Sequence, residues 1–368
     1  MSKKVRNSSI ELLRILAIIL IIASHATNYI MQGDVWSLGG GGSFRFLEVI
    51  GIWGQFGCVL FIIISSWFLC DASSFDFRHT ARLGMMTWIA CLLIVIVDLC
   101  CEKRLSAPEI IKELLTPVYD QYWFVTTYLF FSLLEPFVRR WNQNSSPEFR
   151  LKLVIVLTVL IPFYNLIFAA SPGYHLADFF YVYFLTSHLK LSGENRIERH
   201  AGAFFGISVF GVWLLVHISG ILLRKTQHTS MLNGLYNRLW GITPLIILGA
   251  ISLFYLAEKK TFYSKSINFF GKRTLGVYVL HENFLMRGGS GKASLLWDEL
   301  FCLSARYKMT TLFPICFIIS ILLTFFVAAF IDDIMSWITE RVISVHVLND
   351  MCVRITEFYS RVLKISGD

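Results

Sequence analysis

Long apolar stretches separated by short polar loops recur along the whole 368-residue chain. About twenty mostly apolar residues in one helix are enough to cross the hydrocarbon core of a bilayer. The pattern therefore predicts an all-α, polytopic membrane protein with about ten transmembrane helices. The predicted spans cover residues 10–31, 47–69, 82–101, 121–139, 151–170, 173–190, 202–223, 240–257, 267–287 and 311–338.

Ionisable residues distinguish the ninth span and the end of the chain. The ninth span is interrupted by four of them, namely Lys272, Arg273, His281 and Glu282. After the tenth span, apolar and charged residues mix at helical spacing, which predicts an amphipathic helix on the membrane surface. We therefore divide the chain into a ten-span membrane domain, residues 1–338, and an amphipathic cytoplasmic tail, residues 339–368.

The distribution of basic residues predicts the orientation. An even number of spans places both termini on one side, and Lys3, Lys4 and Arg6 mark the N-terminus as cytoplasmic. Over all loops, about 19 basic residues fall on the predicted inside and about 11 on the predicted outside. We expect both termini in the cytoplasm and a multi-pass protein of a bacterial cytoplasmic membrane.

Composition supports this class of protein and excludes others. Hydrophobic residues make up 55% of the chain and charged residues 16%, whereas soluble domains carry about 25% charged residues. The net charge of +8 follows mostly from the loops and favours contact with anionic lipid. No basic and aromatic patch indicates nucleic acid, and the eight cysteines lack metal-site or redox spacing. We expect neither nucleic acid nor metal, and any chemistry must lie within or between the spans.

Two ionisable residues, Arg14 and His25, lie inside the first span. Eleven residues correspond to about three helical turns, so both side chains share one face, roughly 16 Å apart along the axis. An intramembrane charge is costly unless it faces protein or water, and this favours a functional pair. In the structural alternative, Arg14 extends to the interface and His25 is a packing residue. The first span alone leaves both interpretations open.

A second basic group, Arg78, His79 and Arg82, lies at the predicted inner mouth of the third span. Arg78 and Arg82 are four residues apart and therefore share a helix face, where guanidinium groups bind phosphates through charge-assisted hydrogen bonds. The flanking arginines of any cytoplasmic helix end would give the same pattern.

Four motifs in order resemble the membrane acyltransferase-3 family. The first is the Arg14 and His25 pair that follows Glu11. The second begins at Gly57 and reads GCVLFIIISSWFL, the third is the Trp-Phe pair at 123–124, and the fourth is VYVLH at 277–281. The resemblance runs from about residue 8 to about residue 335, with the ten spans that the family has.

Two positions depart from the family pattern. The second span of the family usually runs into Ser-Gly-Tyr, where this chain has Ser65, Ser66 and Trp67. The family often has Arg-x-x-Arg at the start of the third span. If Arg82 is the second arginine, His79 stands where the first one belongs, which leaves open which residue holds the donor.

The resemblance implies acyl transfer, most often of acetyl from acetyl-CoA to a hydroxyl of a cell-surface polysaccharide or lipid-linked glycan precursor. Cytoplasmic acyl-CoA is then the co-substrate, bound through Arg14, Arg78, His79 and Arg82. His25 acts either as general base for direct attack or as a covalent acyl relay. His281, Tyr278 and Trp123 are expected to assist on the outer side, and Tyr122 is a further candidate oxyanion donor by residue type only.

Two other classes of protein compete with this interpretation. A transporter or exporter of a glycan or small solute would use Arg14 and His25 to bind or relay an ion. Such transporters often have repeat-related halves or spans broken near mid-membrane, and the sequence indicates neither. A non-catalytic receptor or scaffold would not need the two ionisable residues for its function.

Overall fold

The protein is helical throughout the part of the chain that the structure describes. This computed structural model describes residues 6–31, 42–101, 105–168, 175–226, 241–288, 293–306 and 311–365, and no strand occurs among them. The predicted all-α class is therefore confirmed for these residues.

Nineteen α-helices lie within the described residues. In chain order they are α1 (Ser8–Met31), α2 (Gly42–Gly51), α3 (Gly54–Leu69), α4 (Phe77–Cys101), α5 (Ala107–Leu114), α6 (Thr116–Tyr119), α7 (Trp123–Asn144), α8 (Pro147–Thr158), α9 (Tyr164–Phe168), α10 (His175–Leu191), α11 (Arg196–Arg199), α12 (Ala201–Thr226), α13 (Pro244–Glu258), α14 (Lys265–Gly271), α15 (Thr274–Glu282), α16 (Phe284–Arg287), α17 (Leu303–Arg306), α18 (Phe313–Ile343) and α19 (His346–Ile365). Two π-helical segments, Val159–Phe163 and Leu295–Leu300, complete the helical elements of these residues.

Six helical stretches of the described chain are long and apolar enough to cross a membrane. They are Ser8–Met31, Gly42–Leu69, Phe77–Cys100, Pro147–Ile167, Ala201–Leu222 and Phe313–Ile343, and they coincide with the first, second, third, fifth, seventh and tenth predicted spans. The fourth, sixth and eighth predicted spans correspond to α7, α10 and α13, which are more polar or shorter. The count of ten and the orientation stay predictions.

The ninth predicted span is divided into α14, α15 and α16. Helix α14 ends at Gly271, and Arg273 lies just before α15 begins at Thr274. Asn283, which follows α15, has the non-helical backbone angles φ −56° and ψ 140°. The prediction that no span is broken was therefore wrong for the ninth span. The four ionisable residues that interrupt this span were the feature of the sequence that could have indicated the break.

Helix α1 packs between two groups of helices. Leu13 and Ala17 belong to a buried apolar cluster with residues of α3, α10 and α13. Ile18 and Ile22 belong to a second cluster with residues of α15 and α18. The helix that carries Arg14 and His25 is therefore enclosed by protein on two sides.

Small residues allow the close approach of α1 and α3. A methyl group at Gly57 would overlap the Ala17 carbonyl oxygen, and one at Gly54 would overlap the Ser24 side chain. Membrane helices commonly pack closely through such residues, because lipid supplies no hydrophobic force between helices.

We expect Gly57→Ala to lower the stability of the protein by about 1–3 kcal/mol, because the new methyl group must push α1 and α3 apart. The measurement is the apparent midpoint of thermal unfolding in detergent, followed by intrinsic fluorescence. Gly202→Ala in α12 is the matched control, since no atom lies within 4 Å of its added methyl group. Equal midpoints for the two variants would contradict the close packing.

Candidate active site

His25 of α1 lies against two consecutive residues of α15, His281 and Glu282. The His25 Nδ1 atom is 3.0 Å from His281 Nε2 and 2.6 Å from Glu282 Oε2. The two imidazole rings are stacked, with centroids 5.2 Å apart. Glu282 and His281 are buried, whereas 21% of the His25 side chain is exposed. The three groups form what we call the His25 cluster.

Hydrogen-bond partners assign the protons within this cluster. His281 Nδ1 lies 2.7 Å from the Val277 carbonyl oxygen, which only accepts, so Nδ1 carries the hydrogen and Nε2 has a lone pair. His25 Nδ1 then faces two acceptors, this lone pair and the Glu282 carboxylate, and must itself carry a hydrogen. In neutral His25 the lone pair is on Nε2, the atom that could accept a proton or attack an electrophile.

Two side chains, Arg287 and His25, compensate the negative charge of the buried Glu282 carboxylate. Arg287 Nη1 donates to Glu282 Oε1 at 2.5 Å, and His25 Nδ1 approaches Oε2. An isolated buried charge is strongly unfavourable, so both partners are needed to keep the carboxylate ionised in this position. Glu282 therefore orients His25, as the acid does in an acid–histidine pair.

Asn283 fixes the helix break that follows this carboxylate. Its Oδ1 accepts a hydrogen bond from Leu285 N at 3.0 Å, which caps α16. Its Nδ2 donates to Glu113 Oε2 and to the Tyr122 hydroxyl, both at 2.9 Å. These side chains are buried. Nothing in residue spacing pointed to Glu113 or Asn283, because their contact joins positions 170 residues apart.

The same three groups are close enough to be considered as metal ligands, since their donor atoms lie within 4.8 Å of one another. Ligands at about 2.0–2.1 Å in a tetrahedral zinc site are separated by about 3.3 Å from each other. The separations here, 2.6 and 3.0 Å, are hydrogen-bond distances. The geometry therefore fits a hydrogen-bonded cluster better than a cation site, and the expectation of no metal stays a prediction.

A cavity of about 570 Å³ reaches the neighbourhood of the His25 cluster. Exposed His79, near the start of α4, lines one part of the cavity, and buried Tyr278 lines another. The centroid of the Tyr278 ring is 5.9 Å from that of the His281 ring. The Tyr278 hydroxyl is buried without a hydrogen-bond partner of ordinary geometry among the described residues. The cavity thus joins a solvent-exposed region to a free phenol beside the cluster.

Of the four residues predicted to bind the donor, two line this cavity and two face the C-terminal helices. Arg14 and His79 line the cavity, and Arg14 Nη1 also lies 3.2 Å from Glu11 Oε1. Arg78 and Arg82 are not among its lining residues. Arg78 donates to Asn349 Oδ1, and Arg82 Nε lies 2.8 Å from Glu340 Oε1, so both face the C-terminal helices.

Two cations that the sequence analysis did not select also line the cavity, Lys272 and Arg139. Arg139 is buried, with its Nε 3.6 Å from Glu135 Oε1 and its Nη1 3.4 Å from the Leu69 carbonyl oxygen. In the sequence, Arg139 stands at the end of the fourth predicted span, 121–139, where a basic residue is expected as an ordinary flank of a membrane helix. Lys272 had one visible signal, its position within the interrupted ninth span.

The predicted outer-side residues are only partly brought together. His281 and Tyr278 lie beside His25, as described above. The Trp123 ring instead packs on His175, with centroids 4.2 Å apart, and reaches Tyr278 only through Phe124. Tyr122 serves as a partner of Asn283.

Comparison with known families identifies the family of this chain. A family model described as an acyltransferase domain matches residues 7–331, which include the whole His25 cluster and the cavity-lining residues named above. No curated protein and no solved structure gave a match. The model covers most of the chain, and the six apolar helices are those of a membrane protein. This chain therefore belongs to the acyltransferase-3 family and is an acyltransferase of membrane type.

Proposed function

We propose that this protein moves an acetyl group from cytoplasmic acetyl-CoA to a hydroxyl of a cell-surface polysaccharide or lipid-linked glycan precursor, within a bacterial cytoplasmic membrane. The observation that carries the proposal is the position of Tyr278, which lines the cavity and lies 5.9 Å from His281 between ring centroids. The cluster residues themselves are not among the residues that line the cavity, so Tyr278 connects the two.

The cavity lining carries three cations, Arg14, Arg139 and Lys272, against two carboxyl groups, Asp76 and Glu135. This excess of cations suits a phosphate-bearing donor, and a carboxylate-oriented imidazole suits deprotonation of a hydroxyl. Neither feature alone would favour acyl transfer over binding.

The donor is held by cations along the cavity. Arg14, Lys272 and Arg139 line it together with His79, and guanidinium and ammonium groups bind phosphates through charge-assisted hydrogen bonds. The volume of about 570 Å³ falls within the range of about 300–1,000 Å³ for small-molecule sites. The pantetheine arm extends along the cavity and brings the thioester towards Tyr278.

Acyl transfer then needs one proton to move twice. His25 Nε2 removes the proton from the acceptor hydroxyl while that oxygen attacks the thioester carbonyl. The carbon–sulfur bond breaks, and the CoA thiolate leaves as a thiol with the proton held by His25. Glu282 stabilises the imidazolium through Nδ1, and the unpartnered Tyr278 hydroxyl donates to the oxyanion.

A covalent route would use the same atom. In it, His25 Nε2 attacks the thioester, CoA departs, and the acyl-imidazole passes its acyl group to the hydroxyl. The two routes differ in whether an acyl-enzyme forms in the absence of acceptor.

Transport is the second candidate, and the broken ninth span is the observation that favours it. Measuring the release of CoA distinguishes the two functions. An enzyme liberates CoA thiol in step with acceptor acylation, whereas a transporter accumulates substrate in vesicles without that release.

We expect His25→Ala to abolish turnover while acetyl-CoA still binds, because the base is lost and the cavity cations remain. Glu282→Gln is expected to lower kcat by about 10²–10⁴-fold. CoA release measured by mass spectrometry, with acetyl-CoA binding by calorimetry, checks both variants. His217→Ala in α12 is the control, since in the described part of the chain that imidazole contacts Trp213 of its own helix, through the carbonyl oxygen and the ring.

Loss of acetyl-CoA binding in His25→Ala would contradict the role of His25 in the chemical step. A mass increase of one acetyl group on the peptide that carries His25, after incubation with donor alone, would favour the covalent route over direct attack.

Arg14→Ala is expected to raise the KM for acetyl-CoA by about tenfold, which corresponds to about 1.4 kcal/mol of lost phosphate binding. Arg82→Ala is the matched control, because its guanidinium pairs with Glu340 outside the cavity. Steady-state kinetics with varied acetyl-CoA distinguish them. If Arg82→Ala raises the KM and Arg14→Ala does not, the donor phosphates bind at the start of α4, as the family resemblance implies, and not along the cavity.

For Asn283→Ala we expect kcat to fall by about 10–100-fold with the KM for acetyl-CoA unchanged, because Glu282 loses its fixed position against His25. Asn195→Ala is a close control. That amide also caps a helix, through Glu198 N, and donates to a tyrosine hydroxyl, Tyr255, at 2.8 Å. Equal losses in both variants, or a loss in KM alone, would show that Asn283 serves stability and not the site.

A further inference from the structure

The last helix, α19, begins three residues after α18 ends. The match to the acyltransferase family stops at residue 331, so α19 lies beyond it. Because α18 is long and apolar enough to cross a membrane, α19 starts where that helix leaves the bilayer. Its own composition, apolar residues mixed with arginine and acidic residues, differs from that of a span.

One face of α19 packs on the protein. The Phe77 amide donates to Thr356 Oγ1 at 3.1 Å, and the Tyr359 hydroxyl donates to the Leu133 carbonyl oxygen at 3.0 Å. The Tyr359 ring lies 4.4 Å from that of Phe75, a cavity-lining residue. Positions 349, 352, 356 and 359 are three or four residues apart and therefore form one stripe. Through it, α19 contacts the segment that borders the cavity.

A second face of α19 is apolar and exposed, and the Phe358 ring contacts that of its chain neighbour Tyr359, 6.1 Å away between centroids. Val347, Met351 and Phe358 are 73%, 45% and 59% exposed, and their spacing of four and seven residues places them on one side of the helix. On a helical wheel this side lies well away from the stripe at 349, 352, 356 and 359. We call these three residues the apolar stripe of α19.

The neighbouring surface and charges indicate what covers this stripe. Ile334 and Trp337, near the end of α18, are also exposed apolar residues, and Arg341 lies over the Trp337 ring at 4.6 Å. Tryptophan with arginine is typical of a membrane interface. Arg354 and Arg361 fall at the edge of the stripe by helical spacing, and Arg361 Nη2 also lies 3.3 Å from Glu357 Oε2. Arginines in this position attract anionic headgroups. Helices with such faces lie in the plane of the interface.

We infer that α19 is a surface helix that binds an anionic phospholipid bilayer at the end of α18. Val347, Met351 and Phe358 enter the boundary between headgroups and acyl chains, and the opposite contacts hold Phe75 at the cavity border. The partner is the lipid surface itself. This inference does not depend on the proposed reaction.

The test uses the full chain in nanodiscs of phosphatidylcholine alone or in an equal mixture with phosphatidylglycerol. Amide hydrogen exchange of residues 346–365 is measured by mass spectrometry. We expect slower exchange in the anionic nanodiscs. Phe358→Glu should speed exchange there by about tenfold, since a carboxylate cannot enter the acyl boundary beside anionic headgroups. Ser360→Glu adds the same charge at an exposed position on the opposite side and should leave exchange unchanged.

Three results would overturn the inference. The first is exchange that is the same in both lipid compositions, and the second is an equal effect of Phe358→Glu and Ser360→Glu. The third is a dimer in wild type that Phe358→Glu dissociates, which would identify a second copy of the chain as the partner of the stripe. Because exchange of α19 is read without substrate, failure here leaves the acyltransferase proposal standing.

Discussion

The ionised carboxylate of Glu282 is the constraint on which the site depends. With only 4% of its side chain exposed, it must be compensated within the protein. Arg287 and His25 supply that compensation from two sides. Five residues along a continuous helix turn the chain by about 140°, which would direct Arg287 away from Glu282. The break at Asn283 removes this obstacle, so the broken helix, the buried charge and the oriented imidazole form one arrangement.

Helix α1 connects this arrangement to the cavity. Arg14 lines the cavity, and His25 lies about three turns further along the same face, beside α15. Close packing on α3 through Gly54 and Gly57 fixes α1 between the two apolar clusters. A change in that packing therefore moves Arg14 and His25 together, which makes the register of α1 a structural requirement of the site.

Sequence periodicity could predict the helices and the shared face of Arg14 and His25, because each of these features depends on one local segment of the chain. For six spans, length and composition alone are enough to identify a helix that can cross a membrane. The partner of His25 is 256 residues away, and no spacing rule connects such positions. The same limit applies to Arg78 and Arg82. Their four-residue spacing is compatible with a phosphate site and equally with the contacts to Asn349 and Glu340 that the fold gives them.

The departure at residues 65–67 also becomes interpretable in the fold. Ser65 lines the cavity, whereas Ser66 is buried behind it and is absent from the lining. Trp67 packs on Phe254 at 5.0 Å between centroids, with Lys190 Nζ 5.1 Å from its ring. The replacement of the usual glycine by serine therefore lies outside the cavity surface and does not alter the side chains that line the cavity.

The break in the ninth span bears on the choice between enzyme and transporter. In transporters, broken helices present freed backbone groups to the substrate or ion. Here the Asn283 side chain caps the next helix through Leu285 N, and its amide is held by Glu113 and Tyr122. The polar atoms of the Asn283 side chain are thus engaged by protein contacts, which hold the chain after Glu282 in place. Alternating access needs the two sides of a break to move, whereas these contacts tie Asn283 to Glu113 of α5 and to Tyr122, an arrangement that suits the proposed acyl transfer better than transport.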